Sequence, residues 1–294
     1  MQIFTYFTLV LTMFFWGGTF IAGRALASTV TPANASFLRF AIASIALLFL
    51  TIIIDGKLTI PPKKMWLPLL LLGLTGVFSY NVLFFSGLHH IEAGRASLII
   101  ALNPLVITLG ATLFFKEPLN AKQTMGIILS FTGAIFVITN GHPAAVLTSE
   151  FGRGEMAMIG CVLSWSAYSL IGRTVLSSLS PLAAVFYSSL IGTILLLLPA
   201  LNDNILGTIS SIGSIDWLSL CYLGVCGTAL GFSLYYQAIK KIGATRSSVF
   251  INLVPFFSIL LSWLILGESI KFIVIVGGLI LLAGVSITNY CRSV

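Results

Sequence analysis

The chain has 294 residues; 58% are hydrophobic, 8% are charged and the net charge is +7. Soluble domains are about 45–50% apolar and about 25% charged, and 15 basic with 8 acidic side chains cannot solvate a surface of this size. A soluble enzyme, a nucleic-acid module, a secreted disulfide scaffold and a disordered chain are excluded, so the solvent for most of this protein is lipid.

Residues 3–23 form an uncharged apolar run, long enough to cross about 30 Å of hydrocarbon. No basic region precedes it, so a retained first transmembrane helix is expected rather than a cleaved signal. The full set of apolar runs is approximately 3–25, 34–54, 66–88, 95–115, 121–140, 156–175, 181–200, 217–239, 246–266 and 271–290. Their breaks carry turn chemistry, among them Asp55-Gly56, Pro61-Pro62, Glu117-Pro118, Gly141-His142-Pro143, Asn202-Asp203-Asn204 and Gly267-Glu268. Barrel strands alternate over about ten residues, whereas these runs are continuous and longer. The predicted fold class is therefore all-α, a polytopic membrane protein with ten transmembrane helices.

The break at 141–155 divides the chain into a five-span unit at 1–140 and another at 156–294. Cys161, Cys221 and Cys226 lie inside apolar runs and Cys291 at the end of the last, which reads as buried small hydrophobes. His89, His90 and His142 show no ligand spacing, so no metal and no other cofactor is expected.

Orientation follows from Lys and Arg. With the N-terminus in the cytoplasm, ten of the 15 basic residues fall on cytoplasmic breaks or the tail: Lys57, Lys63, Lys64, Lys116, Lys122, Arg173, Lys240, Lys241, Arg246 and Arg292. Arg24, Arg95, Arg153 and Lys271 fall on the other side, and Arg39 lies within a span. This bias predicts both termini in the cytoplasm of a prokaryotic inner membrane, and it accounts for the positive balance without nucleic acid.

The halves repeat each other. Trp16, Gly23, Arg24 and Pro32 recur as Trp165, Gly172, Arg173 and Pro181, an offset of 149. From the third run onward the offset is 151: Gly73, Gly76, Arg95, Ser97, Pro104, Glu117, Gly126 and Gly133 match Gly224, Gly227, Arg246, Ser248, Pro255, Glu268, Gly277 and Gly284. Five spans is an odd number, so the second copy is expected to enter the membrane inverted. Two copies that exchange slightly different conformations alternate between inward-open and outward-open states. That is a transporter's device, which a channel, membrane enzyme or scaffold does not need.

These residues resemble the EamA-type ten-helix transporters of the drug/metabolite transporter superfamily. The resemblance covers essentially the whole chain. It is carried by Trp16-Gly17-Gly18, Arg39-Phe40, the run from Ala96 to Pro104, Glu117-Pro118, Gly126 and Gly133, and then by Trp165, Pro181, Arg246, Pro255, Gly267-Glu268, Gly277 and Gly284. It implies a ten-helix bundle with a central cavity and export of small metabolites, often amino acids or related compounds. Two departures mark the halves as unequal: Arg39 faces Ser188 at the matched position, and Lys116 precedes Glu117 where the second copy has Gly267.

Arg39 is the one charge well inside a span. Such an Arg costs about 2.5–3.5 kcal/mol on insertion scales and belongs in a polar cavity, where it serves as counter-charge to a substrate carboxylate or bonds helix ends. Tyr80, Asn81, Asn103 and Asn252 are mid-span polar residues, read as cavity lining or as interhelical bonds. Pro104 and Pro255 each remove a ladder hydrogen bond and are candidate paired hinges. Trp16 and Trp165, with Tyr168, Tyr235 and Tyr236, read as an aromatic cavity wall or as packing. Glu117 and Glu268 read first as caps on the following helices and second as proton carriers. The stripes Gly126, Ser130, Gly133 and Gly224, Gly227, Gly231 let helices approach closely.

The expected function is secondary transport of a small molecule, with no enzymatic activity and no phosphate loop. An importer or exchanger of nucleotide-like metabolites is the alternative; a membrane enzyme or a scaffold is more distant. The expected partners are the solute and the lipid bilayer, with no nucleic acid, and the chain acts as a monomer or homodimer.

Overall fold

The structure is a computed structural model, and it describes residues 2–115, 121–138, 141, 152–242, 247, 250–269 and 271–290. Among these residues every regular element is helical. The helices are α1 (Gln2–Leu26), α2 (Pro32–Asp55), α3 (Lys63–His90), α4 (Ala93–Ile100), α5 (Asn103–Phe115), α6 (Ala121–Ile138), α7 (Arg153–Val175), α8 (Pro181–Asn202), α9 (Ile205–Ser211), α10 (Ser214–Ile242), α11 (Phe250–Leu266) and α12 (Phe272–Tyr290). Among the described residues seven stretches are long and apolar enough to cross a membrane: α1, α2, α3, α4 with α5, α7, α8 and α10. Shorter apolar segments, Thr124–Gly133, Phe250–Leu266 and Phe272–Gly284, fall in the fifth, ninth and tenth expected spans.

Matched positions use the same local devices. Thr31 caps α2 by accepting a hydrogen bond from the Asn34 N–H, and Ser180 caps α8 by accepting from Ala183, each with a proline at the first helical position. Proline there gives up no ladder bond, because that N–H has no partner in a helix anyway. Inside α3 the ladder widens to a π-helix over Gly73–Ser79, and inside α10 over Tyr222–Leu230. The span expected at 95–115 is broken at Ala101-Leu102, and α11 opens with a 3-10 turn at Phe250–Asn252. Both departures from α geometry precede a proline. Pro104 and Pro255 have no N–H to offer the carbonyls of Ile100 and Ile251, one turn back.

The helices pack in matched pairs: α3 against α7 answers α1 against α10, and α5 against α7 answers α1 against α11. The self-matched pairs are antiparallel. Along α2 and α8, Asn34 donates to the Asp203 carbonyl, Ser44 shares a 3.3 Å hydrogen bond with Thr193, and Ser180 donates to Asp55. Along α6 and α12, a Cβ on Gly133 would overlap the backbone of Leu281, and one on Gly284 would overlap that of Ser130. The stripe Gly126, Ser130, Gly133 is thus a site of backbone-to-backbone approach, with no room for a Cβ at Gly133 or, across from it, at Gly284. Cys161 is buried, but Cys226 is only partly buried and Cys221 is exposed on an outer face of α10, which corrects their reading as buried residues; Cys291 lies outside the described residues.

Candidate functional site

Where α1, α2, α3, α7 and α10 converge they enclose a cavity, closed over by the broken segments at Ile100–Asn103 and Ile251–Val254. Its volume is about 30 Å³, room for roughly two water molecules. That is small beside the roughly 300–1,000 Å³ of ordinary small-molecule pockets. The walls are mostly aromatic. Trp16 and Trp165, a matched pair, meet edge to face at 5.3 Å, and both pack on Phe232 at 5.9 and 5.0 Å. Tyr80 lies 5.5 Å from Trp165 and stacks on Phe84 at 5.9 Å. The Trp16 indole N–H donates 3.0 Å to the Gly227 carbonyl, which ties α1 to the π segment of α10.

Arg39 supplies the cavity's charge and is only 3% exposed. Its Nε donates to the Thr228 hydroxyl at 3.0 Å and its Nη1 to the Asn81 side-chain carbonyl at 2.9 Å. The guanidinium carbon lies 5.4 Å from the centre of the Phe40 ring and 6.0 Å from that of Phe84. Neutral acceptors and ring faces stabilise a cation without cancelling its charge, each ring contributing about 0.5–2 kcal/mol. Among the described residues no carboxylate pairs with Arg39, and Nη2 makes no hydrogen bond. Asn103, also on the cavity wall, keeps its Oδ1 buried and without a partner among the described residues. The cavity thus offers three spare guanidinium N–H groups, one on Nη1 and two on Nη2, with a spare acceptor on Asn103 and an uncompensated positive charge.

Of the residues singled out from sequence, Arg39, Trp16, Tyr80, Asn103 and Trp165 line this cavity. Asn81 stands behind it as the partner of Arg39. Tyr168 and Tyr235 lie in the ring cluster beyond the wall, where Tyr168 packs on Trp165 and Tyr235 on Trp16. Asn252 sits in the 3-10 turn of α11, outside the lining, and both of its side-chain polar atoms lack partners among the described residues. Thr228, Thr19, Phe20, Phe84, Phe232, Ile100, Ile251 and Val254 were not anticipated. The 151-residue offset carries a signal for two of them: Phe232 and Val254 are the matched positions of Asn81 and Asn103.

The helix ends carry a second set of ties. Glu268 accepts hydrogen bonds from the Ala93 N–H at 3.1 and 3.4 Å and lies 3.8 Å from Arg24, which also donates to the Leu88 carbonyl. Glu268 is therefore a cap, as expected, but on α4 of the other half rather than on the helix that follows it. Arg95 pairs with the buried Glu155 at 2.8 Å, and Glu155 also accepts from the Gly152 N–H. Glu117 lies outside the described residues.

The EamA-like transporter family model matches residues 3–139 and matches again over 152–290. The chain belongs to the EamA-like transporter family. Among its relatives is an uncharacterized transporter of Archaeoglobus fulgidus, 31% identical over 95% of this chain and 96% of its own. Another is the uncharacterized transporter YyaM of Bacillus subtilis, 28% identical over 92% of this chain and 88% of its own. A third, from Streptantibioticus cattleyicolor, is named a probable terminal-alkyne amino-acid exporter and is 29% identical over 96% of this chain and 92% of its own. A solved crystal structure superposes with a TM-score of 0.69 at 18% identity, covering 99% of both chains, and shares the fold. This is a multi-pass membrane protein of a bacterial and archaeal transporter family.

Proposed function

We propose that this protein is a secondary transporter that exports small carboxylate-bearing metabolites, amino acids or their relatives, by alternating access. The observation that carries the reading is Arg39, a buried cation with neutral partners on the wall of a cavity built from both halves of the chain. A site with uncompensated positive charge favours a solute with a negative group, and the aromatic walls favour an apolar or aromatic side group. A nucleotide-like solute with several phosphates would want several cations, and Arg39 is the charged residue of the described lining. The relative named an amino-acid exporter supports the same class.

The two units, 1–140 and 156–294, are read as inverted repeats. The antiparallel pairs α2–α8 and α6–α12 support this, as does the double family match. Pro104 and Pro255 then act as paired hinges beside the cavity, both termini lie in the cytoplasm, and the small cavity is a state between the two openings.

The test is uptake into proteoliposomes of a panel of labelled amino acids and related carboxylates, with and without a pH gradient. Arg39→Ala and Arg39→Lys are compared per inserted molecule. Carboxylated solutes are transported by wild type, transport falls at least a hundredfold in Arg39→Ala, and Arg39→Lys lies between, because Lys keeps the charge but loses the planar fork. Normal transport by Arg39→Ala rules the reading out.

A further inference from the structure

The two π segments, Gly73–Ser79 and Tyr222–Leu230, stand at matched positions in the two halves. A π-helix bonds each N–H five residues back instead of four, and such segments are rare and found mostly at functional sites. A side chain in or beside each segment hydrogen-bonds its backbone here. The Asn81 amide donates to the carbonyls of Gly76 at 3.3 Å and Val77 at 2.9 Å, and the Thr228 hydroxyl donates to the Leu223 carbonyl at 2.9 Å. Both side chains have a second face, and on it each accepts a hydrogen bond from Arg39. A single guanidinium on α2 therefore reaches a π segment of α3 and a π segment of α10, one from each half.

We infer that Asn81 and Thr228 are positioning residues, which hold the Arg39 fork toward the cavity and through which Arg39 clamps the two π segments together. The inference rests on the transport reading for its consequence, since an anion drawn to Arg39 meets the Nη2 edge that these two bonds leave free and aimed at the cavity. The chemistry suits this. The neutral acceptors fix the fork's direction and leave its charge available, whereas a carboxylate in either place would neutralise it. Each acceptor is itself oriented by the backbone carbonyl to which it donates. The arrangement is not duplicated within the repeats. The position matched to Asn81 is Phe232 and the position matched to Thr228 is Val77, so one clamp spans both halves.

Two measurements test the clamp, one of them independent of any solute. In amide hydrogen exchange on the purified full chain, Arg39→Met raises exchange in 73–79 and in 222–230 at least tenfold, and Arg39→Lys, which cannot span both acceptors, does so in at least one. Thr228→Val raises exchange in 222–230 alone, and Thr228→Ser in neither. Unchanged exchange in both segments of an inserted Arg39→Met or Arg39→Lys protein overturns the clamp. In proteoliposomes with labelled L-phenylalanine as probe, Thr228→Val raises KM about tenfold with the maximal rate within threefold of wild type, as loss of a hydrogen bond to a charged group predicts. Thr228→Ser restores KM, and Asn81→Asp, which neutralises the fork, loses uptake at least tenfold. Equal KM values for the Val and Ser variants overturn the positioning role. If wild type moves neither phenylalanine nor any other member of the panel, the transport reading fails, and the exchange measurement still decides the clamp.

Discussion

The two halves are alike in backbone and unlike in chemistry. Both open their second helix with a hydroxyl cap and a proline, both carry a π segment, and both depart from α geometry shortly before a proline. The polar side chains of the cavity have no such symmetry. Arg39 answers Ser188, Asn81 answers Phe232, Thr228 answers Val77 and Asn103 answers Val254. Where the halves agree, the residues are those that shape helices and let them approach. Where they differ, the residues are those that line the cavity or hold Arg39. A two-fold scaffold suits a motion that exchanges its halves, but a small solute is not two-fold symmetric, and its recognition needs donors and acceptors on particular sides.

The sharpest way to break this comparison is to move the charge. Arg39→Ser with Ser188→Arg places the guanidinium in the second half, where Val77 and Phe232 replace its acceptors. Transport of carboxylated solutes stays at least a hundredfold below wild type, because a buried Arg without partners either fails to insert or points elsewhere. Recovery to within tenfold would mean that the halves are interchangeable at the site.

The shared backbone is tested by matched glycines. Gly133→Ala and Gly284→Ala each push a methyl group into main chain of the facing helix, which cannot yield as a flexible side chain does. Each destabilises by about 1–3 kcal/mol, seen as similar losses of thermal stability in detergent by size-exclusion recovery. One mild and one severe loss would show that the α6–α12 crossing is not symmetric in energy.

The smallest effect belongs to the prolines. Pro104→Ala and Pro255→Ala return an N–H to the ladder at Ile100 and Ile251 and stiffen the break. Each slows uptake about threefold to tenfold while leaving the amount of inserted protein within twofold. Equal effects sharpen the symmetry of motion; an effect at one proline alone assigns the moving half.

Much of this was legible along the chain. The apolar runs declare helices because lipid offers the backbone no hydrogen bonds, so each segment must satisfy itself within a continuous stretch. The constant offsets declare two related halves, and their odd span count predicts opposite directions. Arg39, Trp16, Tyr80, Asn103 and Trp165 stand out because polar and aromatic residues deep in apolar runs are costly or misplaced unless they face inward. The rest depended on which helices meet. Thr228 looks like any hydroxyl in an apolar helix until α10 brings it to 3.0 Å from Arg39, 189 positions earlier in the chain. Glu268 was legible as a cap, but its target on α4 was not, because a turn carboxylate reaches whichever helix end the fold sets beside it. Tyr168 and Tyr235 carry the same composition signal as Trp165, yet packing sets them one layer behind it. Hydropathy and spacing are properties of a segment and its neighbours in sequence; the partner of a buried donor is a property of two segments brought together, and only the packed bundle decides it.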